Sequence, residues 1–564
     1  MTRFLATLLA LCAAAPAFAA PAATPAPAPL ALETYTLPNG LTVILHPDRR
    51  LPQVVVDTWF AVGSKDEAKG RTGFAHLFEH LMFMGTKRVP GNGFDVLMET
   101  GGGANNASTS EDRTNYFSFG PPSLLPTLLW LDADRFATLA DAMTKEKVDL
   151  QRDVVRNERR QGIENTPYGV AEVIIPGAMF PEGHPYHHPV IGSHEDLQAA
   201  SLEDVKGFFA THYVPGNATL VVAGDFDPAA VKPLVSRLFG AIPARPVPDR
   251  RAVPPATLDR EVRRVAADEV QLPRLYLAWH APPAFAAGTA ELDLLAAILG
   301  DGPSSRLERR LVHELRLAES VAVYLEPRQL GSLFHVQVTG APGADLERLK
   351  REALAAIEAV KTSGPSDAEL RRARAQVEVG FRREQEHLLA RADRLNAYRF
   401  HFGEADGFAR DLARFGSATA ASVRDVARRT LGDGRLDLRI LPAAGEVAAI
   451  PDAPPAALPR KAWRPPAPEV FRLSNGVEVR LVKQPGSGLF AGHLVVDGGD
   501  RLVPAEKAGL APIVAELLTS GAAGKSAAAY ADAVRTLGAS VEASAGRAAM
   551  DVAVTGLSAN LDAT

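Results

Sequence analysis

Gly73-Phe-Ala-His76-Leu-Phe-Glu79-His80-Leu-Met-Phe-Met-Gly85 is the stretch on which the reading of this chain turns. It reads as a helix over Thr72–Gly85. Phe74, Leu77, Phe78, Leu81, Met82, Phe83 and Met84 surround its polar positions on nearly every side, the pattern of a buried helix. His76 and His80 are four apart, so they project from one face one turn apart, and Glu79 lies beside that stripe. An ionised Glu among hydrophobes is costly unless something compensates it, and a divalent cation does so. H-x-x-E-H inverts the commoner H-E-x-x-H motif. Two imidazoles and one carboxylate suit zinc and leave a fourth position for water, while a neighbouring Glu that is not a ligand, here Glu79, is placed to act as general base. The competing reading is a pair of core histidines satisfied by backbone hydrogen bonds.

The motif supplies two of three ligands. The third is expected from another buried helix, read over Lys145–Ile163, whose Val148, Val154 and Val155 give it an inward face. That helix offers Glu158 in Val154-Val-Arg-Asn-Glu158-Arg-Arg, and spacing alone leaves Glu164 open as well. Taken by itself, Glu158 reads as a surface partner of Arg159 or Arg160. Around these helices, Leu41–His46, Val54–Ala61 and Ala218–Ala223 read as strands. Asn105–Ser108 and Asn115–Phe119 read as strands about a polar turn, and Phe94–Thr100 is a helix ended by Gly101-Gly102-Gly103. Short strands mixed with long helices argue for α+β layers.

The chain has 564 residues, 46% hydrophobic and 23% charged, enough for several domains with large cores. Its formal net charge of −5 gives no drive toward nucleic acid. Arg3, the apolar run Phe4–Ala15 and Ala17-Phe18-Ala19 form a secretory leader over residues 1–19, which predicts an exported, periplasmic or extracellular protein. No later apolar stretch reaches the roughly 18 residues of a membrane span. Cys12, the single cysteine, falls inside the leader, and the bulky Leu11 before it argues against a lipid anchor there. The remaining chain can offer a metal only His, Asp and Glu. Residues 20–30 read as an Ala/Pro-rich tether. Pro/Ala-rich stretches, Pro243–Pro255 and Ile450–Pro468, divide the rest of the chain into domains at 31–245 and 256–448, a linker at 449–465 and a third segment at 466–564.

The third segment repeats the first. Leu37-Pro-Asn-Gly40 matches Leu473-Ser-Asn-Gly476 at an offset of 473 − 37 = 436, which also carries Gly63, Gly73 and Gly85 onto Gly499, Gly509 and Gly521. The same offset pairs Leu128 with Thr564, whereas the first copy runs on for more than a hundred residues, so the third unit is expected to be about half built.

The chain resembles the pitrilysin/insulinase family of zinc peptidases. The resemblance rests on Leu37–Gly40, Gly73–Gly85, Asn157-Glu158-Arg159-Arg160 and, in the second domain, Gly302-Pro-Ser-Ser-Arg-Leu307. It implies tandem α/β roll domains, two complete and a third truncated. It implies one zinc in the catalytic domain, and the family's spacing selects Glu158 as third ligand beside His76 and His80. It implies a metalloendopeptidase cutting peptides or unfolded polypeptides in a chamber. The substrate would add as a strand along Asn105, Asn106, Ala107 and Ser108. A second half-shell, from another subunit or another copy of the chain, would close the chamber. A non-catalytic binding or scaffold subunit awaiting that half is the alternative. Three departures stand out. Gln151 replaces a Glu frequent in relatives, and as a hydrogen-bonding group behind the ligands it brings no charge. His76, Glu79 and His80 map onto Pro512, Ala515 and Glu516 in the third segment. The second domain has Val312 and Glu319 where an Arg and a Tyr would hold substrate in a non-catalytic half.

Overall fold

The computed structural model describes residues 30–250, 252–443, 466–483, 486–522 and 524–564. The leader, all but the last residue of the tether and the linker at 449–465 lie outside the described residues.

The first domain is built on a six-stranded sheet of β1 (Glu33–Thr36), β2 (Thr42–Pro47), β3 (Val54–Phe60), β4 (Ala104–Thr109), β5 (Thr114–Gly120) and β6 (Ala218–Gly224), in the order β1-β2-β6-β3-β5-β4. Strand alternation sends its side chains to two different cores. Val43, Leu45, Val54, Val56, Leu220 and Val222 face the domain's own helices. Ile44, Val55, Val221 and Ala223 face Leu388, Ala392, Leu395 and Tyr398 of the second domain. Burial on both faces is why β2 and β3 read as continuous apolar runs rather than alternating ones.

Four helices of this domain matter to the site: α1 (Phe74–Leu81), α2 (Gly93–Thr100), α3 (Leu125–Ala142) and α4 (Lys145–Arg159). The first is shorter than the expected Thr72–Gly85. Past Leu81 the chain tightens, with Phe83 N–H donating to His80 O and Met84 N–H to Leu81 O, and Gly85 turns it away at φ 76°. Its start is fixed by Gly73 at φ 88° and by Glu67, whose carboxylate accepts from Gly73 N at 3.0 Å and Ala75 N at 2.8 Å. That carboxylate satisfies donors the helix cannot satisfy itself and complements its positive end. The inward face of α4 is narrower than expected. Val148 and Val155, seven apart, are buried, but Val154 is exposed, because one residue turns the helix by about 100°. Beyond Arg159 the chain widens into a π turn over Arg160–Glu164.

The second domain repeats the sheet, a relation with no counterpart in the sequence pattern. Its strands β7 (Val262–Asp268), β8 (Arg274–Ala281), β9 (Ala318–Glu326), β10 (Ser332–Gly340) and β11 (Leu436–Pro442) run β7-β11-β8-β10-β9. As β6 is parallel to β2 and antiparallel to β3, so β11 is parallel to β7 and antiparallel to β8. Only a counterpart of β1 is lacking among the described residues. Helices α5 (Asp367–Glu386) and α6 (Leu388–Phe402) join it to its neighbours, α6 covering β3 and β6.

In the third segment β12 (Glu469–Arg472) pairs with β13 (Glu478–Leu481), and β14 (Leu489–Asp497), β15 (Ser540–Ala545) and β16 (Ala549–Leu557) form a sheet ordered β14-β16-β15. The offset of 436 places β12 on β1 and β15 on β4 end to end. These two sheets thus reproduce the β1-β2 and β3-β5-β4 parts of the first, and no described strand takes the place of β6 between them. Helices α7 (Leu510–Thr519) and α8 (Ala527–Thr536) complete the segment, and α8 packs on α5.

Candidate metal centre

Each of the three units starts an apolar helix from a left-handed glycine: Gly73 at φ 88°, Gly288 at φ 98° and Gly509 at φ 90°. Counted from that glycine, the positions of His76, Glu79 and His80 hold Glu291, Leu294 and Leu295 in the second unit and Pro512, Ala515 and Glu516 in the third. Only α1 offers two imidazoles.

The α1 helix packs against α4, which brings Glu158 over the two rings. Its Oε2 lies 3.2 Å from His80 Nε2 and 3.8 Å from His76 Nε2, and the rings stand edge to face with centroids 4.8 Å apart. One ligand atom from each residue falls within 4.8 Å of the others, and this is the one such group among the described residues. Tetrahedral zinc with bonds of about 2.0–2.2 Å sets its ligand atoms roughly 3.3–3.6 Å apart. The two separations from Glu158 bracket that spacing, so the donor set fits the ion once the ligand atoms close in around it. Glu164, the alternative by spacing, turns away to Arg159 and His194 at 3.1 and 2.9 Å.

Electrostatics favour the same arrangement. Burial, and then the neighbouring His80, hold His76 down at about 4 against the pull of Glu158, so it presents a neutral nitrogen to a metal. Burial also works to lower His80, but the hydrogen bond and charge of Glu158 and the charge of Glu79 outweigh it and raise that imidazole. The His80 hydrogen bond in turn lowers Glu158. The Glu158 side chain is 47% exposed, which leaves an open approach on that side.

Glu79 stands beside this group rather than in it. Thr109 at the end of β4 donates to its Oε2 at 2.5 Å, and burial raises its pKa. Gln151, two turns before Glu158 on α4, stands beside His80, whose pKa it helps to raise, and its Nε2 donates to Met84 Sδ at 2.8 Å. Asn105, Asn106, Ala107 and Ser108 lie on β4, the edge strand of the sheet, against which α1 packs. Asn105 Nδ2 donates to Asp95 at 3.2 Å, and Ala107 N–H to Asn106 Oδ1 at 2.8 Å. Arg113 donates to the Ser108 carbonyl at 2.9 Å.

Three residues around the site carry no sequence signal: Glu67, Thr109 and Arg113. None sits in a recognised motif: Thr109 reaches Glu79 across the fold, and Glu67 and Arg113 act on nearby residues through a loop and a turn. In the second domain Arg306 of the Gly302–Leu307 signature pairs with Glu369 at 2.7 Å, and its neighbour Ser305 is buried.

Comparison with known proteins places the chain among peptidases. The family description "Insulinase (Peptidase family M16)" matches residues 42–182, and "Peptidase M16 inactive domain" matches residues 199–377. The chain is 32% identical over 345 residues to zinc protease PqqE of Helicobacter pylori, spanning 60% of this chain and 76% of that protein. The crystal structure of a protease from the same organism superposes with a TM-score of 0.68 at 29% identity, over 74% of this chain and all of that one. The periplasmic protease PqqL from Escherichia coli shares the fold over 94% of this chain and 65% of its own, with a TM-score of 0.63 at 18% identity. The chain belongs to the insulinase, or pitrilysin/insulinase, family of peptidases.

Proposed function

We propose that the chain is a zinc-dependent metalloendopeptidase acting on peptides or unfolded polypeptides, with zinc held by His76, His80 and Glu158 and Glu79 as general base. The observation that carries the reading is the convergence of those three side chains beside Glu79 and under a free sheet edge. Zinc bound there would polarise the scissile carbonyl and acidify the attacking water. Glu79 takes the proton of that water on its carboxylate and passes it to the leaving amine nitrogen. Thr109 keeps one carboxylate oxygen engaged, so the other is aimed at the reacting water. An extended peptide pairs its backbone with β4, and because these bonds are to main chain the site tolerates many sequences. The incoming strand competes with the Asn106 side chain for the Ala107 amide, which points away from β5.

Turnover of an unfolded peptide by the purified chain should vanish on chelation and return on adding zinc. Turnover indifferent to the chelator sinks the proposal. A second expectation concerns Thr109. Thr109→Val should lower kcat by about 10–100-fold with KM nearly unchanged, since small misplacement of a reacting group costs this much, and Thr109→Ser should restore most of it.

The amino-terminal leader pattern supports an exported protein. Among the described residues no helix is long and apolar enough to cross a membrane. A scaffold role that waits on a second half-shell is favoured by one observation. Leu494 and Val496 on one face of β14, Val495 on the other, and Ile513 and Leu517 on α7 are large apolar side chains exposed in the third segment. Tight peptide binding without zinc-dependent turnover would mark that role.

A further inference from the structure

We infer that the second domain, although it lacks the ligands, sets the position of Glu79, and that Arg328 is the positioning residue through which it does so. The inference rests on the reading of Glu79 as general base.

Among the described residues, the one side chain hydrogen-bonded to Glu79 is Thr109, the last residue of β4. Residues 110–113 turn the chain back into β5, and this turn is gripped from outside its own domain. Arg328, on the loop between β9 and β10, reaches Glu111 Oε1 at 2.9 Å and Glu326 Oε1 at 2.6 Å through one nitrogen, Nη2. Its side chain is only 5% exposed, with the guanidinium 5.7 and 5.4 Å from the ring centroids of Phe180 and Tyr186. The next residues of the loop continue the grip. Gln329 N–H donates to Asp112 Oδ2 at 2.7 Å, and Leu330 N–H donates to Tyr186 Oη at 3.0 Å while that hydroxyl donates to Asp112 Oδ1 at 2.5 Å.

A second contact holds the strands behind the turn. Asp393 on α6 accepts from Trp59 Nε1 of β3 at 2.9 Å and from Asn115 Nδ2 of β5 at 3.2 Å. Asn115 Oδ1 in turn accepts from the Ser108 hydroxyl of β4 at 2.7 Å. The second domain thus fixes the hairpin both at its tip and along its stem, and Thr109 lies between the two grips. A buried charge pair resists rearrangement because moving either partner leaves the other uncompensated. Glu111 stands two residues from Thr109, so slack in the turn passes directly to the hydroxyl that aims Glu79.

Glu111→Gln removes the charge that pairs with Arg328 across the domain boundary and leaves the Arg328–Glu326 pair intact. Arg328→Met removes both bonds, and Arg328→Lys retains a charge without the planar fork. Glu111→Gln and Arg328→Met are expected to lower kcat by about 10–100-fold, with KM and zinc affinity held within about twofold, and Arg328→Lys to recover part of the loss. Combined with Thr109→Val, Glu111→Gln should add little further loss, because both act through one hydrogen bond. Unchanged kcat in folded Glu111→Gln protein overturns the inference. So do additive effects with Thr109→Val, or a parallel fall of kcat and zinc affinity. Hydrogen exchange of the amides in residues 104–118 judges the clamp without reference to activity. Faster exchange in Glu111→Gln supports it and unchanged exchange sinks it, even if the wild-type chain with zinc shows no turnover and the peptidase reading itself fails.

Discussion

Glu79→Gln should cut turnover of an unfolded peptide by about a thousandfold while zinc remains bound, a loss within the range that general acid–base groups supply. Gln has the shape of Glu and its carbonyl oxygen can still accept from Thr109, so the helix and the hairpin keep their places. What disappears is the affinity for a proton. In the native protein burial raises the Glu79 carboxyl, against the lowering pulls of Thr109 and of charge on His80. A carboxylate raised in this way is a stronger base than a solvated one, and it sits where the proton must be taken. The measurement is kcat together with metal content on the same preparation. Wild-type turnover by a zinc-loaded Glu79→Gln protein would remove Glu79 from the chemistry.

The positions that can be read from the sequence are those fixed by local periodicity. His76, Glu79 and His80 share one helix, and a helix dictates which of its residues share a face whatever packs around it. The αL glycines at Gly73 and Gly509, and the strands of the repeated segment, are likewise visible as an unbroken offset. Glu158 needs the family's spacing, because nothing local separates it from Glu164; only the packing of α4 on α1 decides which carboxylate reaches the rings. Thr109, Glu67 and Arg328 are not legible at all. Their partners lie at Glu79, at the start of α1 and at Glu111, and these meetings depend on strand register, on the course of one loop and on domain contact rather than on a regular spacing. The relation of the second domain to the first is hidden for a similar reason. A sheet topology can persist through different apolar residues, since a strand buried on both faces asks only for suitable volume and β-propensity. Val154 shows the opposite failure: hydrophobic in type, it reads as inward, although the helix turns it to solvent.

The three-fold recurrence of sheet and helix also explains where the chemistry resides. Each copy places an apolar helix beside an edge strand, but Leu294 and Leu295 in the second copy and Ala515 in the third turn the same location into ordinary core or surface. The second copy keeps a different use of the position, presenting its β9–β10 loop to the hairpin of the first. A unit without the two imidazoles can still serve as a rigid support for the site proposed on the first.

Zinc affinity should rank the carboxylates and amides of α4 and its π turn by their distance from the metal. Glu158→Gln keeps the volume of the side chain but removes the charge that faces both imidazoles, so the ion loses a ligand and the compensation for its own charge. Groups that merely orient ligands are worth about 10–100-fold in affinity. Glu158→Gln should therefore lower zinc affinity by more than about a hundredfold, and Gln151→Ala, which removes an uncharged side chain beside His80 and Met84, by about tenfold. Glu164→Gln should leave it unchanged, because that carboxylate is engaged by Arg159 and His194. Competition titration with a chromogenic chelator separates the three variants on one scale, and activity at saturating zinc should recover for Gln151→Ala but not for Glu158→Gln. The order itself is the test: equal losses for Glu158→Gln and Glu164→Gln would mean that the metal, if it binds, is not held where α4 crosses α1.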